Sequence, residues 1–261
     1  MTSDTRTREL IRHNDVTIDL IAEGSGPLIV MLPSRGRGSE DYDEVADGIA
    51  RAGFRVLRPQ PRGVMRSTGP LAGITLHDLA ADVALVIARE NAGSAVIVGH
   101  AFGHFVARMT AVDHPHLVRG IVLAAAAAKS YPTELAELVG KAGDLTLTDG
   151  ERLPILQWLF FAPGHDPSIW LTGWYPPANA GQRQASLATR QAEWWPAGVV
   201  PLLDLQAEHD PFKPREKMNE LREELGDRVT IKVVKDASHA LIPEQPSAVI
   251  DAVVEWVRRL R

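Results

Sequence analysis

The chain has 261 residues, 45% of them hydrophobic and 23% charged, a balance that suits one large α/β domain or two small globular ones. Its formal net charge of −5, with no basic cluster, argues against nucleic acid or an anionic membrane as a partner. The absence of cysteine excludes disulfides, zinc–thiolate sites and thiol nucleophiles, and no apolar stretch is long enough to span a bilayer.

The polar, charged segment 1–13 lacks the apolar centre of a signal peptide, so a cytoplasmic protein is expected. Residues 16–22 alternate apolar and polar positions, which predicts a half-exposed edge strand, whereas 28–32 is a continuous apolar run suited to burial on both faces. A Gly- and Arg-rich turn at 34–38 precedes a helix at 42–52, stopped by Gly53. The strand 54–57 runs into Pro59 and Pro61, which cannot continue a ladder. Helical periodicity at 76–89 leads to a strand at 95–98, a helix at 102–113 and a strand at 121–124. From 129 to 198 no buried strand is legible. Short helical patterns broken by Pro and Gly carry Trp158, Trp170, Trp174, Trp194 and Trp195 instead. Strands at 201–205 and 229–234 and an amphipathic helix at 248–260 resume the alternation, which favours a parallel sheet covered on both faces. The segments 1–128 and 199–261 thus form a core domain. Residues 129–198 form a helical cap after the sixth strand, bringing aromatic surface over the strand ends.

The strand–turn–helix around Val98-Gly-His-Ala-Phe-Gly103 has the form of a nucleophile elbow, in which a strained turn holds the central side chain up for attack. Gly99 and Gly103 let strand and helix pass closely. The central residue is Ala101, whose methyl group cannot attack. Downstream, Asp210 follows one strand and His239 the next, in the chain order nucleophile position, acid, histidine. Asp210 accepting from one ring nitrogen of His239 would fix its tautomer and stabilise the imidazolium formed when the other nitrogen takes a proton. Backbone N–H groups of Phe102 and of Arg35 or Ser34 are the expected oxyanion donors. His100 and His104 have the spacing of a metal pair but fall on opposite sides of the elbow turn. His100 reads as packing beside the site and His104 as helix surface.

Together these pieces, with residues 32–38 and 59–67, resemble the α/β-hydrolase superfamily over nearly the whole chain, most of all its small, capped, carboxylesterase-like bacterial hydrolases. The resemblance implies an α/β fold with an eight-stranded, mostly parallel sheet, helices on both faces and a lid after the sixth strand. It implies neither cofactor nor metal. His100, Trp158, Trp174 and Arg37 are the expected substrate contacts, and the apolar lid suggests a small, largely hydrophobic substrate. Three functions follow. The chain is a carboxylic-ester or lactone hydrolase scaffold in which Ala101 is natural or replaces a serine. Alternatively, it uses the Asp210–His239 pair alone as a general base, as cofactor-free lyases, oxygenases or water-activating enzymes do. The third reading is a binding protein without turnover. Oligomeric state is left open.

Overall fold

The computed structural model describes residues 6–260. Eight strands form one sheet in the order β1-β2-β4-β3-β5-β6-β7-β8. They are β1 (Thr7–His13), β2 (Val16–Glu23), β3 (Leu28–Leu32), β4 (Arg55–Pro59), β5 (Ala95–His100), β6 (Val118–Ala124), β7 (Leu202–Ala207) and β8 (Val229–Val234). The pairings β1–β2 and β2–β4 are antiparallel. From β4 to β8 every pairing is parallel.

Successive residues of β3 point to opposite faces, so a strand covered on both sides must be apolar throughout. Leu28, Val30 and Leu32 join the core on one face, packed by α2 (Leu76–Glu90) and α3 (Gly103–Asp113). Ile29 and Met31 join the core on the other, packed by α1 (Asp43–Arg51) and the closing helix at Pro246–Arg259. Local signals set the helix ends. Thr75 and Asp78 form a capping box at the start of α2, and Asn91 ends it in the left-handed region at φ 49°.

Between β6 and β7 the chain builds α4 (Thr133–Ala142), α5 (Asp149–Phe160), α6 (Pro176–Ala188) and the short α7 (Gln191–Trp194). After β7 come α8 (Glu220–Leu225), then β8, the short α9 (Leu241–Glu244) and α10 (Pro246–Arg259). The α4–α5 region has its own apolar cluster, in which Leu135, Leu156, Phe160, Trp170 and Trp174 meet Phe212 and Ala240 of the loops after β7 and β8.

One strand assignment changes. Residues 16–22 are not the edge, because β1 pairs outside them along its full length. Its exposed Arg8, Glu9 and Arg12 disguise it as a charged tail. The polar member of β2, Asp19, is fully buried yet satisfied, with its carboxylate bonded by Arg8 and Arg66.

Strand β5 and helix α3 leave no space at the turn that joins them. A Cβ on Gly103 would lie 2.4 Å from the carbonyl oxygen of Leu32, and one on Gly99 would lie 2.6 Å from that of Gly103. Backbone, unlike a flexible side chain, cannot step aside cheaply. Gly103→Ala is therefore expected to destabilise the protein by about 2–3 kcal/mol, the upper range for overpacking a tight site. Urea denaturation measures this, and a change below about 0.5 kcal/mol, typical of unconstrained surface positions, would refute the crowding.

Candidate active site

Ala101 follows β5 in the left-handed region, at φ 47°. Its N–H donates to Ala124 at 2.9 Å and its carbonyl accepts from His104 at 3.0 Å, so both neighbouring elements hold the turn. An L-residue with a Cβ is strained there by about 1–2 kcal/mol. The surrounding backbone maintains this conformation although the side chain has no hydroxyl to present.

His239, in the loop after β8, directs Nδ1 to both carboxylate oxygens of Asp210, at 3.1 and 3.0 Å. The N–H of Phe212 donates to Asp210 Oδ1 at 2.9 Å, and the Phe212 ring lies 4.2 Å from the His239 ring, centroid to centroid. Both members of the pair are buried. Ala101 and His239 line one cavity with Ser34, Arg35, Phe102 and His104. Phe105, Phe160, Phe212, Ala127, Ala136 and Val139 supply its apolar wall, and Tyr131 and Ser186 add hydroxyls.

Of the expected oxyanion donors, Ser34 is excluded. Its N–H already donates to the Tyr42 hydroxyl at 2.9 Å. The N–H groups of Arg35 and Phe102 have no backbone or side-chain acceptor among the described residues, and both residues line the cavity. Two unsatisfied donors beside an elbow are what a developing oxyanion requires.

The Tyr42 contact is one end of a buried relay. His100 Nε2 lies 2.7 Å from the carbonyl oxygen of His239, which can only accept, so this nitrogen carries the proton. His100 Nδ1 is then the acceptor for the Tyr42 O–H at 2.8 Å. The loop after β3 is thereby tied through Tyr42 and His100 to the loop that carries His239. Burial, reinforced by the neighbouring His239 and Arg37, pushes His100 down to about 3, so the relay is neutral.

The expected substrate contacts need correction. His100 is sealed in this relay and does not line the cavity. Arg37 is 1% exposed and fully engaged: Nε and Nη2 donate to Asp41 at 2.7 and 2.8 Å, and Nη1 donates to the Thr172 carbonyl at 2.6 Å. Its guanidinium stacks over Trp170 and Trp174, at 4.6 and 4.9 Å from their centroids, so Trp174 packs on Arg37 rather than facing a ligand. Trp158 is 58% exposed and stands outside the cavity. No tryptophan lines it. Trp170 and Trp174 pack into the α4–α5 cluster and Trp194 and Trp195 into the core around α3, and phenylalanines form the apolar wall instead.

The reading of His104 as helix surface is also wrong. It is 1% exposed, lies edge-on to Phe105 and faces the cavity, with neither ring nitrogen bonded. Burial, aided by nearby Arg108 and Lys213, drives its protonation well below the ordinary histidine range. The i, i+3 spacing from Ala101 is the sequence signal that places it beside the elbow. Among the described residues no cluster of acidic and histidine side chains is arranged to hold a metal. No described helix is long and apolar enough to cross a membrane.

Two outcomes follow from the relay. Tyr42→Phe orphans the Ser34 N–H and His100 Nδ1, and should cost about 1–3 kcal/mol in urea denaturation, the range for a buried group left unsatisfied. A neutral substitution would contradict the relay. His100 titrates at about 3 in the fold against an ordinary 6.5, so between these values the unfolded chain binds the proton more readily. Its contribution to stability is complete above that window and falls by about 1.4 kcal/mol per pH unit as acid is added within it. His104 acts in the same direction. The loss of stability between neutral pH and pH 5 should be shallower in His100→Asn than in the native protein, and equal slopes would count against a neutral His100.

A family model described as the alpha/beta hydrolase fold matches residues 27–175. The chain is 24% identical over 242 residues to Protein ABHD8 of Bos taurus, an alignment covering 83% of this chain and 52% of that protein. It is 28% identical over 107 residues to a 2-(acetamidomethylene)succinate hydrolase of Mesorhizobium japonicum, covering 41% and 38% respectively. The aligned parts thus span about half, or less, of these curated relatives. In three dimensions the chain is similar to an esterase from Exiguobacterium antarcticum, with a TM-score of 0.77 at 18% identity, over 93% of this chain and 96% of that one. With the sheet order, the elbow and the family match in agreement, the chain belongs to the alpha/beta hydrolase fold family.

Proposed function

We propose that this protein hydrolyses a small ester or lactone by direct attack of water, with His239 as the general base and no covalent acyl-enzyme. The observation that carries this reading is the intact Asp210–His239 pair, at 3.0 Å, facing a cavity whose elbow residue is an alanine. The Ala101 methyl leaves free the volume that a hydroxyl would occupy. A water there, hydrogen-bonded to His239 Nε2, attacks the carbonyl carbon as its proton passes to His239. The negative charge developing on the carbonyl oxygen is held by the N–H groups of Arg35 and Phe102. Asp210 stabilises the imidazolium through Nδ1. Collapse of the tetrahedral intermediate breaks the carbon–oxygen bond, and the imidazolium returns its proton to the departing alkoxide. An acid and an alcohol leave, or one hydroxy acid from a lactone. The apolar wall of phenylalanines favours a compact substrate with a hydrocarbon portion. The hydrolases among its relatives support the reaction class.

The test compares the native protein, His239→Ala and Ala101→Ser on short p-nitrophenyl esters and simple lactones. The native protein should turn over without a burst of p-nitrophenol. His239→Ala should lose about 10²–10⁴-fold, the usual contribution of a general base. Ala101→Ser should be faster and show a burst as an acyl-enzyme accumulates. If only the serine form reacts, direct water attack is refuted and the chain is a hydrolase scaffold without its nucleophile. If both are silent, ester and lactone chemistry is refuted altogether.

A further inference from the structure

Among the residues lining the elbow cavity there is one arginine and no lysine, aspartate or glutamate. That arginine is Arg35, half-buried between this cavity and an open groove along α4, and without an ionic partner among the described residues. Nη2 donates to the carbonyl of Ala136 on α4 at 3.0 Å, while Nε is buried with no acceptor. No carboxylate lies within ion-pair distance of it among the described residues. Two residues along the same loop, Arg37 shows the contrast: its carboxylate, its carbonyl and its two indole faces are all supplied from within the fold.

A half-buried charge without a counter-charge is costly in the ligand-free protein, though less so than a fully buried one. Burial lowers Arg35 to about 10, and the nearby Arg183 pushes the same way. The rest of the lining gives little relief. Tyr131 and Ser186 are uncharged hydroxyls, and His104 is held neutral by its burial. The missing group is an anion of small size, planar enough to meet a guanidinium edge, which is the description of a carboxylate.

We infer that the substrate carries a carboxylate, received by the Arg35 guanidinium at the α4 side of the elbow cavity while its reacting carbonyl lies against the N–H groups of Arg35 and Phe102. One residue then reads two ends of the ligand, its main chain the oxyanion and its side chain the anion. The two are separated by the length of one arginine side chain. The class of ligand is a short, partly apolar carboxylate whose reacting group is a few bonds from the acid, such as a half-ester of a small dicarboxylic acid or a lactone bearing an acid. This inference rests on the ester and lactone reading for the reacting end alone; the anion site stands on the unpaired guanidinium.

The experiment therefore measures binding apart from turnover. Calorimetric titration of the native protein compares pentanoate with pentanamide, which has the same shape without the charge. Pentanoate should bind at least about tenfold tighter, consistent with a charge-assisted pair in a partly desolvated site. Arg35→Gln should abolish that preference, Arg35→Lys should retain part of it, and Arg183→Gln, at the exposed neighbour, should leave it intact. Equal binding of acid and amide by the native protein overturns the inference, and does so whether or not the Arg35 variants fold. A preference that survives in a folded Arg35→Gln overturns it as well. Hydrolysis of monomethyl glutarate against dimethyl glutarate then separates the two readings. A carboxylate preference in binding with no turnover of either ester removes only the hydrolytic reading. Turnover of both esters without any binding preference removes only the anion site.

Discussion

The close passage of three backbone segments at Gly99, Gly103 and Leu32 is the constraint on which the site depends. A single methyl group at either glycine would stand within 2.6 Å of a carbonyl oxygen, so β5, α3 and the end of β3 can meet only where side chains are absent. That contact turns the chain sharply enough to leave Ala101 at φ 47°. The strain at Ala101 is thus a consequence of packing and persists without a nucleophile to justify it.

From this fixed point the remaining parts of the site are registered by contacts that carry no net charge or are internally compensated. The neutral chain of hydrogen bonds from Ser34 through Tyr42 and His100 to the carbonyl of His239 ties the loop after β3 to the loop that carries His239. The loop after β3 is joined to the 129–198 region by Arg35 on Ala136, by Gly36 on Gln182 and by Arg37 on Thr172. Neighbouring residues of one loop therefore serve different ends. Arg37 has every guanidinium nitrogen bonded inside the protein, whereas Arg35 leaves Nε without a protein acceptor.

Retention of the acid–base pair beside an alanine separates two properties that the fold usually combines. The elbow supplies geometry, and the loops after β7 and β8 bring Asp210 against His239, the pair assigned proton transfer in the proposed reaction. The first survives on backbone alone, and the second needs only Asp210 and His239. In the proposed reaction a water replaces the missing hydroxyl, since the base, the oxyanion donors and the cavity assigned to it are all built from groups other than the side chain of residue 101.

The amino-acid sequence by itself determined the strand–helix alternation, because burial on both faces requires continuous apolar runs such as 28–32, and it determined the elbow, because only glycine permits that approach. The order of Asp210 and His239 was equally legible, since each is a turn residue following an apolar strand. Tertiary structure decided what short-range pattern cannot express. Strand β1 looks like a polar tail because its partner lies on one side only and its charged residues face outward. His104 resembles a surface residue of a helix until Trp194 and Phe105 are packed around it. Arg35 and Arg37 are indistinguishable as letters in a Gly-rich turn. Which arginine is stacked and paired, and which keeps a buried nitrogen without an acceptor, depends on α4, Trp170, Trp174 and Thr172, all about a hundred or more residues away along the chain. Long-range neighbours, rather than local propensity, set the charge balance of a buried site.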